Sequence, residues 1–365
     1  MTIYIVLLLI VSTAILVDHS NVGIKIREKR SDLLLRVLFL LIYLIFALRA
    51  SSVGRDIPGY ENVYKWTGYY NWDDYSYVYF EFGYILLMKV CSALGMNFQW
   101  FLAVVTAITL YPIYLFIKRY SSDKCLSCLI YVSYMLFEFD LTGIRQALAM
   151  SISLLAFMCL MERKKGYLIK YLLLIWIASE FHKSAWVCIL ILPLLYLNDL
   201  YVYTVVIAAG TTVSLLLRNV LFRYIKDFFD KETFRLGVGL HFGGNFFFIM
   251  VLAAFFLVSL NTQRNRLIIL AENSEQQLSQ NMLLYKLFLL GILLSVFFGN
   301  ETSARSFMYY IQAIILLVPN VASGLTQKSV ILYKTAFVIF LIWFFFANTL
   351  IPNNFDIVPY RFFWQ

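Results

Sequence analysis

Apolar runs of roughly 15–20 residues recur along almost the whole chain, separated by short polar breaks. No single soluble core could bury them all. In a bilayer each run is a candidate helix, because a helix rises 1.5 Å per residue and the hydrocarbon layer is about 30 Å thick. Lipid offers no partner for backbone N–H and C=O groups, so a spanning segment must satisfy them internally. Composition agrees: 62% of the residues are hydrophobic and 14% charged, with a mean hydropathy of +0.77. A soluble domain is about half apolar and a quarter charged. The chain therefore reads as all-α, a polytopic integral membrane protein.

Spans are expected near 2–17, 32–50, 98–117, 125–140, 144–161, 168–180, 184–197, 201–217, 245–260, 283–298, 304–319 and 330–350. Clusters of Lys and Arg follow four of them, at 25–30, 118–124, 163–170 and 264–266. If all four clusters are cytoplasmic, the bias of positive charge toward the inside is met at each, and the N-terminus lies outside. The segment "FEFGYILLMKVCSALG" at 80–95 is ambiguous. Only an odd number of crossings fits between an outer loop at 51–79 and an inner residue 118, so 80–95 is expected to be re-entrant or interfacial. The count is then about twelve transmembrane helices plus this one, in a single multi-spanning domain over 1–365 with outer-face loops at 51–79 and 218–244.

The net charge of +9 does not point to nucleic acid, since basic residues fall mainly in the short loops that set topology. Cys91, Cys159 and Cys188 sit in apolar runs. Cys125 and Cys128 form a lone CxxC without a second pair or nearby histidines, so no metal site and no cofactor are expected. The first segment lacks a basic leader and a small-residue cleavage site, and reads as an uncleaved helix.

On this topology the polar groups that topology does not explain collect on the outer face. They are "GRDIPGY" (54–60), "GIRQ" (143–146), "FHKSAW" (181–186), "HFGGN" (241–245), "NETSARSFMYY" (300–310) and "PYRFFW" (359–364). Arg145 and Gln146 open an apolar helix. The bland reading of Arg145 is an interfacial anchor; the functional one is recognition of phosphate or carboxylate oxygens by its planar fork. His182, one of three histidines, lies between two apolar runs beside Glu180, Lys183 and Ser184. It is either an interfacial residue or a general base for a sugar hydroxyl. Arg305 and Tyr309 form either an anchor belt or a clamp for a phosphate or sugar. The 51–79 stretch is rich in Asp, Tyr, Trp and Asn, a composition suited to carbohydrate as well as to an interfacial aromatic belt. Arg55, Asp56 and Glu81 are not explained by a belt. The basic residues of 218–244, against the inside-positive trend, either attract an anionic lipid-linked substrate or pair within a solvated amphipathic helix.

The series GRD, FEFGY, GIRQALA, FHKSA, Arg305, Tyr309 and PYRFF resembles the EpsG family of bacterial polysaccharide polymerases, of the Wzy type. The likeness runs through roughly the whole chain. Its most specific parts are Gly54–Asp56, Phe80–Tyr84, Ile144–Ala149 and Phe181–Ala185.

The resemblance implies a multi-pass protein of the bacterial plasma (inner) membrane with its active site facing the periplasm or exterior. It implies a metal-independent glycosyltransferase whose donor and acceptor are both undecaprenyl-diphosphate-linked oligosaccharides, with undecaprenyl diphosphate released. Arg145 and Arg305 would neutralise the departing charge, with Arg55 and Arg361 behind them, and His182 would be the base. Asp56 and Glu81 would orient the acceptor or an arginine, while Gln146, Lys183, Tyr309 and Tyr360 would contact substrate. Membrane lipid and a chain-length regulator protein are the other partners implied. Two rivals are a transporter of lipid-linked sugar, which predicts charges near the midplane and internal repeats, and a membrane O-acyltransferase, which needs an acyl donor from the cytoplasmic side.

Overall fold

A computed structural model of the protein describes residues 1–18, 24–69, 71, 74, 80–228, 244–270, 275–297, 300–322 and 325–365. Among these the chain is helical throughout, apart from one isolated antiparallel bridge between Arg49 and Phe362. In chain order the helices are α1 (Thr2–Asp18), α2 (Ile24–Ala47), α3 (Ile57–Trp66), α4 (Phe82–Ala93), α5 (Phe98–Tyr120), α6 (Lys124–Ser133), α7 (Leu136–Thr142), α8 (Ile144–Glu162) and α9 (Tyr167–Ser179). A 3₁₀ helix (Lys183–Leu190) follows, then α10 (Ile191–Leu194), α11 (Leu200–Phe228), α12 (Gly244–Leu270), α13 (Glu275–Phe297), α14 (Asn300–Ile311), α15 (Ile314–Ala322) and α16 (Gln327–Phe344), which runs on as a π-helical turn, Phe345–Leu350.

Four described helical stretches are long and apolar enough to cross a membrane: Phe98–Tyr120, Ile144–Glu162, Glu275–Val296 and Lys328–Leu350. A fifth is counted if α6 and α7, bent by 56° at their junction, make one broken span. Sequence periodicity predicts one helix over 125–140; the chain instead breaks at Tyr134–Met135, where Met135 takes a left-handed φ of 60°. The span expected at 304–319 is likewise divided between α14 and α15, and 184–197 begins as a 3₁₀ helix. Residues 218–228, expected in a loop, prolong α11, while 229–243 lie outside the described residues. The expected loop 51–79 contains α3, whose Pro58 suits a first helical turn and whose buried Ile57, Tyr60 and Tyr64 recur on one face.

The chain divides into two compact units, Met1–Ala185 with Gln327–Gln365, and Trp186–Thr326. In the first unit the helix ends sort into two sets. One end is tied by Arg30 donating to the Asp18 carbonyl, Lys124 to Asp32 at 2.5 Å, Lys334 to Asp123 at 2.6 Å and Tyr120 to Glu162 at 2.8 Å. At the other end the C-terminal segment folds back along the chain that leaves α2. The amide of Ala50 donates to the Arg361 carbonyl and that of Phe363 to Leu48, both at 2.9 Å, while Tyr4 donates to the Ile357 carbonyl and Tyr360 to that of Ile45. The second end also holds Gln99, whose amide donates to the carbonyls of Ala47 and Arg49.

The same ties bear on the segment at 80–95 within this unit. Residues 81 and 99 flank α4 and both contact the second end, so α4 leaves that end and returns to it. At 12 residues it is about 18 Å long, too short to cross. Tyr64 closes the excursion by donating to the Met96 carbonyl at 2.8 Å.

In the second unit α13 is the central helix. Gly291 lets α14 pack closely, since a Cβ there would lie 3.0 Å from the Tyr310 Cβ. Buried Asn281 accepts from Asn320 at 3.0 Å, a polar tie between α13 and α15.

Candidate functional site

Glu81 is the residue just before α4, and its side chain does not cap that helix. Its carboxylate spans two other elements instead. Oε2 accepts from Arg145 Nη1 at 2.7 Å, and Oε1 accepts from the backbone N–H of Lys183 at 3.2 Å. The Arg145 and Glu81 side chains are 19% and 11% exposed, so water screens this pair little. Beneath the guanidinium lies the Phe80 ring, 4.4 Å from Cζ to centroid, with the Tyr60 ring at 5.9 Å. The arginine is thus held by charge on one side and by two π faces on the other.

Backbone packing sets this geometry. The N–H groups of Gly83 and Tyr84 donate to the Glu180 carbonyl at 2.7 and 3.3 Å, docking the first turn of α4 on the chain leaving α9. A Cβ at Gly83 would sit 2.8 Å from that carbonyl oxygen, so only glycine permits the approach. Tyr84, fully buried, packs on Tyr60, Phe80 and Phe101 with ring centroids 5.4–5.9 Å apart. Phe80, Glu81, Gly83 and Tyr84 therefore each have a separate task in presenting Arg145.

His182 follows α9 in the turn that Glu81 pins. Its Nδ1 lies 2.6 Å from Ser184 Oγ and accepts from the Ser184 N–H at 3.3 Å. The backbone contact suits the tautomer with hydrogen on Nε2, whereas the hydroxyl contact can run in either direction. Lys183 is exposed, and its contact with Glu81 is through the backbone N–H.

Arg55 Nε donates to Asp356 at 3.1 Å, with both side chains more than half exposed. The amides of Gly54 and Arg55 donate to the carbonyls of Asp356 and Phe355. Gly54, at φ +108°, allows the tight turn: a Cβ there would meet Ile57 at 2.8 Å and the Leu141 carbonyl at 3.0 Å. Thr142 donates to the Phe355 carbonyl at 3.3 Å, so this loop, the C-terminal segment and the start of α8 share one end of the unit. Asp56 precedes α3 without capping it by its side chain. Tyr360 is half-buried through its bond to Ile45, Arg361 takes part through its backbone carbonyl, and Gln146 is buried on α8.

Thus Arg145, Glu81 and the Lys183 backbone are in direct contact, His182 is one residue away along the chain, and Arg55, Asp56, Tyr360 and Arg361 stand at the same end. Arg305 and Tyr309 belong to the second unit. There Arg305 is exposed on α14 while Tyr309 is fully buried, so the two do not present a common surface although they are one helical turn apart.

In sequence Arg49 is only the charge that ends a long apolar run. It is 1% exposed, donates through Nη1 to the Phe46 carbonyl and lies 5.7 Å from the Phe46 centroid. Tyr4, Tyr360 and Tyr84 lie around it. It is the keystone under the folded-back C-terminal segment. Among the described residues no group of three or more His, Cys, Asp or Glu side chains is arranged to hold a metal ion.

Compared with known families, residues 32–362 match the model of the EpsG family. No curated protein and no solved structure matches the chain.

Proposed function

The chain belongs to the EpsG family of Wzy-like polysaccharide polymerases, and from that premise we propose that it joins undecaprenyl-diphosphate-linked repeat units at the outer face of the plasma membrane. The acceptor is a sugar hydroxyl of one lipid-linked unit, and the donor is the anomeric carbon of another. A new C–O bond forms there as the bond to diphosphate breaks, and the electron pair leaves with undecaprenyl diphosphate. The hydroxyl proton passes to His182 Nε2. This requires the Nδ1–H tautomer, in which Nδ1 donates to Ser184 Oγ at 2.6 Å and gives up the longer acceptance from the Ser184 N–H.

One observation carries the proposal: Arg145, at the entrance of α8, is fixed by Glu81 and by the Phe80 face. A guanidinium held rigid before the reaction begins can meet charge as it develops on the leaving diphosphate, without reorganisation cost. Its planar fork reaches two phosphate oxygens together, which a lysine ammonium does not. Arg55 and Arg361, at the same end of the first unit, would contribute further positive charge.

Arg145→Lys keeps the charge and removes the fork. Loss of one such donor costs about 10²–10³ in rate. Cells with this variant at matched protein level should carry single repeat units in place of long chains on a polysaccharide gel. His182→Ala should do the same. Lys164→Ala, whose side chain pairs with Glu162 at the opposite end of the unit, should leave the ladder intact. A normal ladder in Arg145→Lys returns this residue to the role of an anchor.

Translocation of lipid-linked sugar is favoured by a different feature, the broken span α6–α7 with buried Glu138 and Asp140 beside its break. The two functions part in a deletion strain: a polymerase mutant accumulates single units exposed outside, and a translocator mutant holds them inside.

A further inference from the structure

A polar cleft in the first unit contains none of the residues assigned above to the site around Arg145. Its volume is about 510 Å³, within the range of small-molecule sites. It opens between α3, the turn from α4 into α5 and the C-terminal Phe363. We propose that it holds the oligosaccharide portion of a lipid-linked repeat unit, away from the bond being made. The inference rests on the polymerase assignment and extends it to the sugar.

The lining has two components. The half-exposed Phe363 supplies open aromatic surface, with the buried Tyr64 as part of the wall behind it, and the electron-rich face of such a ring suits the weakly positive C–H face of a pyranose. Glu61, Lys65, Asn97 and Gln99 supply hydrogen-bonding groups around it. Glu61 and Lys65 pair at 3.0 Å, and Ser51 also bonds Glu61. The wall thus presents donors and acceptors with its charges balanced, and no arginine lines it. A diphosphate has no reason to choose it, whereas a polyhydroxylated ligand does.

Position gives the cleft its place in the reaction. Tyr60 and Tyr64 are one turn apart on α3, about 6 Å along its axis. Tyr60 faces Arg145 and Tyr64 faces the cleft. Helix α3 thus links the two places, and on this proposal a repeat unit with its diphosphate at Arg145 has its sugars at the cleft one turn further along.

The test uses the full-length protein in phosphatidylglycerol nanodiscs. The probe is the repeat-unit oligosaccharide released by mild acid from the lipid carrier of a deletion strain, followed by saturation-transfer NMR and calorimetry. Wild type and Arg145→Lys should bind it equally, because the probe has no diphosphate. Glu61→Gln and Lys65→Ala, each with a wild-type melting temperature, should bind about tenfold more weakly, as expected for loss of a hydrogen bond to a charged group. No binding to wild type overturns the proposal, as does equal binding by both cleft variants or displacement of the probe by phosphoethanolamine. The polymerase assignment fails separately, if Arg145→Lys builds normal chains.

Discussion

Arg145 was visible in sequence as a charge at the mouth of an apolar helix, but not what holds it. Its partner Glu81 is 64 residues away, and the contact depends on Gly83 letting α4 approach the Glu180 carbonyl. Gly83→Ala tests that dependence. The new Cβ would stand 2.8 Å from a backbone oxygen, and relief of such overpacking costs about 1–3 kcal/mol. The variant should melt at a lower temperature and show a shortened polysaccharide ladder. Gly59→Ala on α3, where a Cβ meets nothing within 4 Å, should do neither. The residues of "FEFGY" thus matter together. Arg49 illustrates the converse: an arginine ending an apolar run resembles an anchor in sequence, and only the returning C-terminal segment makes it buried.

At the scale of elements, most helices are legible from apolar periodicity, while ends such as those fixed by Asn97 and Asp123, which accept from Trp100 and Leu126, come from the structure. The broken span α6–α7 was not, because the break at Tyr134–Met135 contains no glycine or proline to mark it. Helix α3 reads as a loop in sequence because polar and aromatic residues crowd around it, though it carries a first-turn proline and an apolar stripe. The placement of α4 leads to a labelling test. In a cysteine-free background, Trp66→Cys and Leu94→Cys, both exposed, should react with an impermeant thiol reagent from the same side of the membrane. A full crossing by α4 requires opposite sides.

For the molecule as a whole, the Arg30 bond to the Asp18 carbonyl and the ion pairs Lys124–Asp32 and Lys334–Asp123 gather at one end of the first unit, and 119, 120 and 162 are tied together in the last turns of α5 and α8. Reporter fusions after residues 30, 122 and 166 should therefore all report the cytoplasm, and a fusion after 182 the opposite side. Disagreement between 122 and 182 in the reverse sense would place the candidate site inside. The sequence by itself determined that this is a helical membrane protein of the EpsG family, because hydropathy acts locally along each span and the family pattern runs through 32–362. It also singled out Arg145, Glu81 and His182, because charges beside apolar runs are costly wherever they fall. Only the tertiary structure decided which of them touch. Pairing Glu81 with Arg145 and the Lys183 backbone depends on α4 turning back to its own end, and that return is set by long-range backbone contacts that no local pattern encodes.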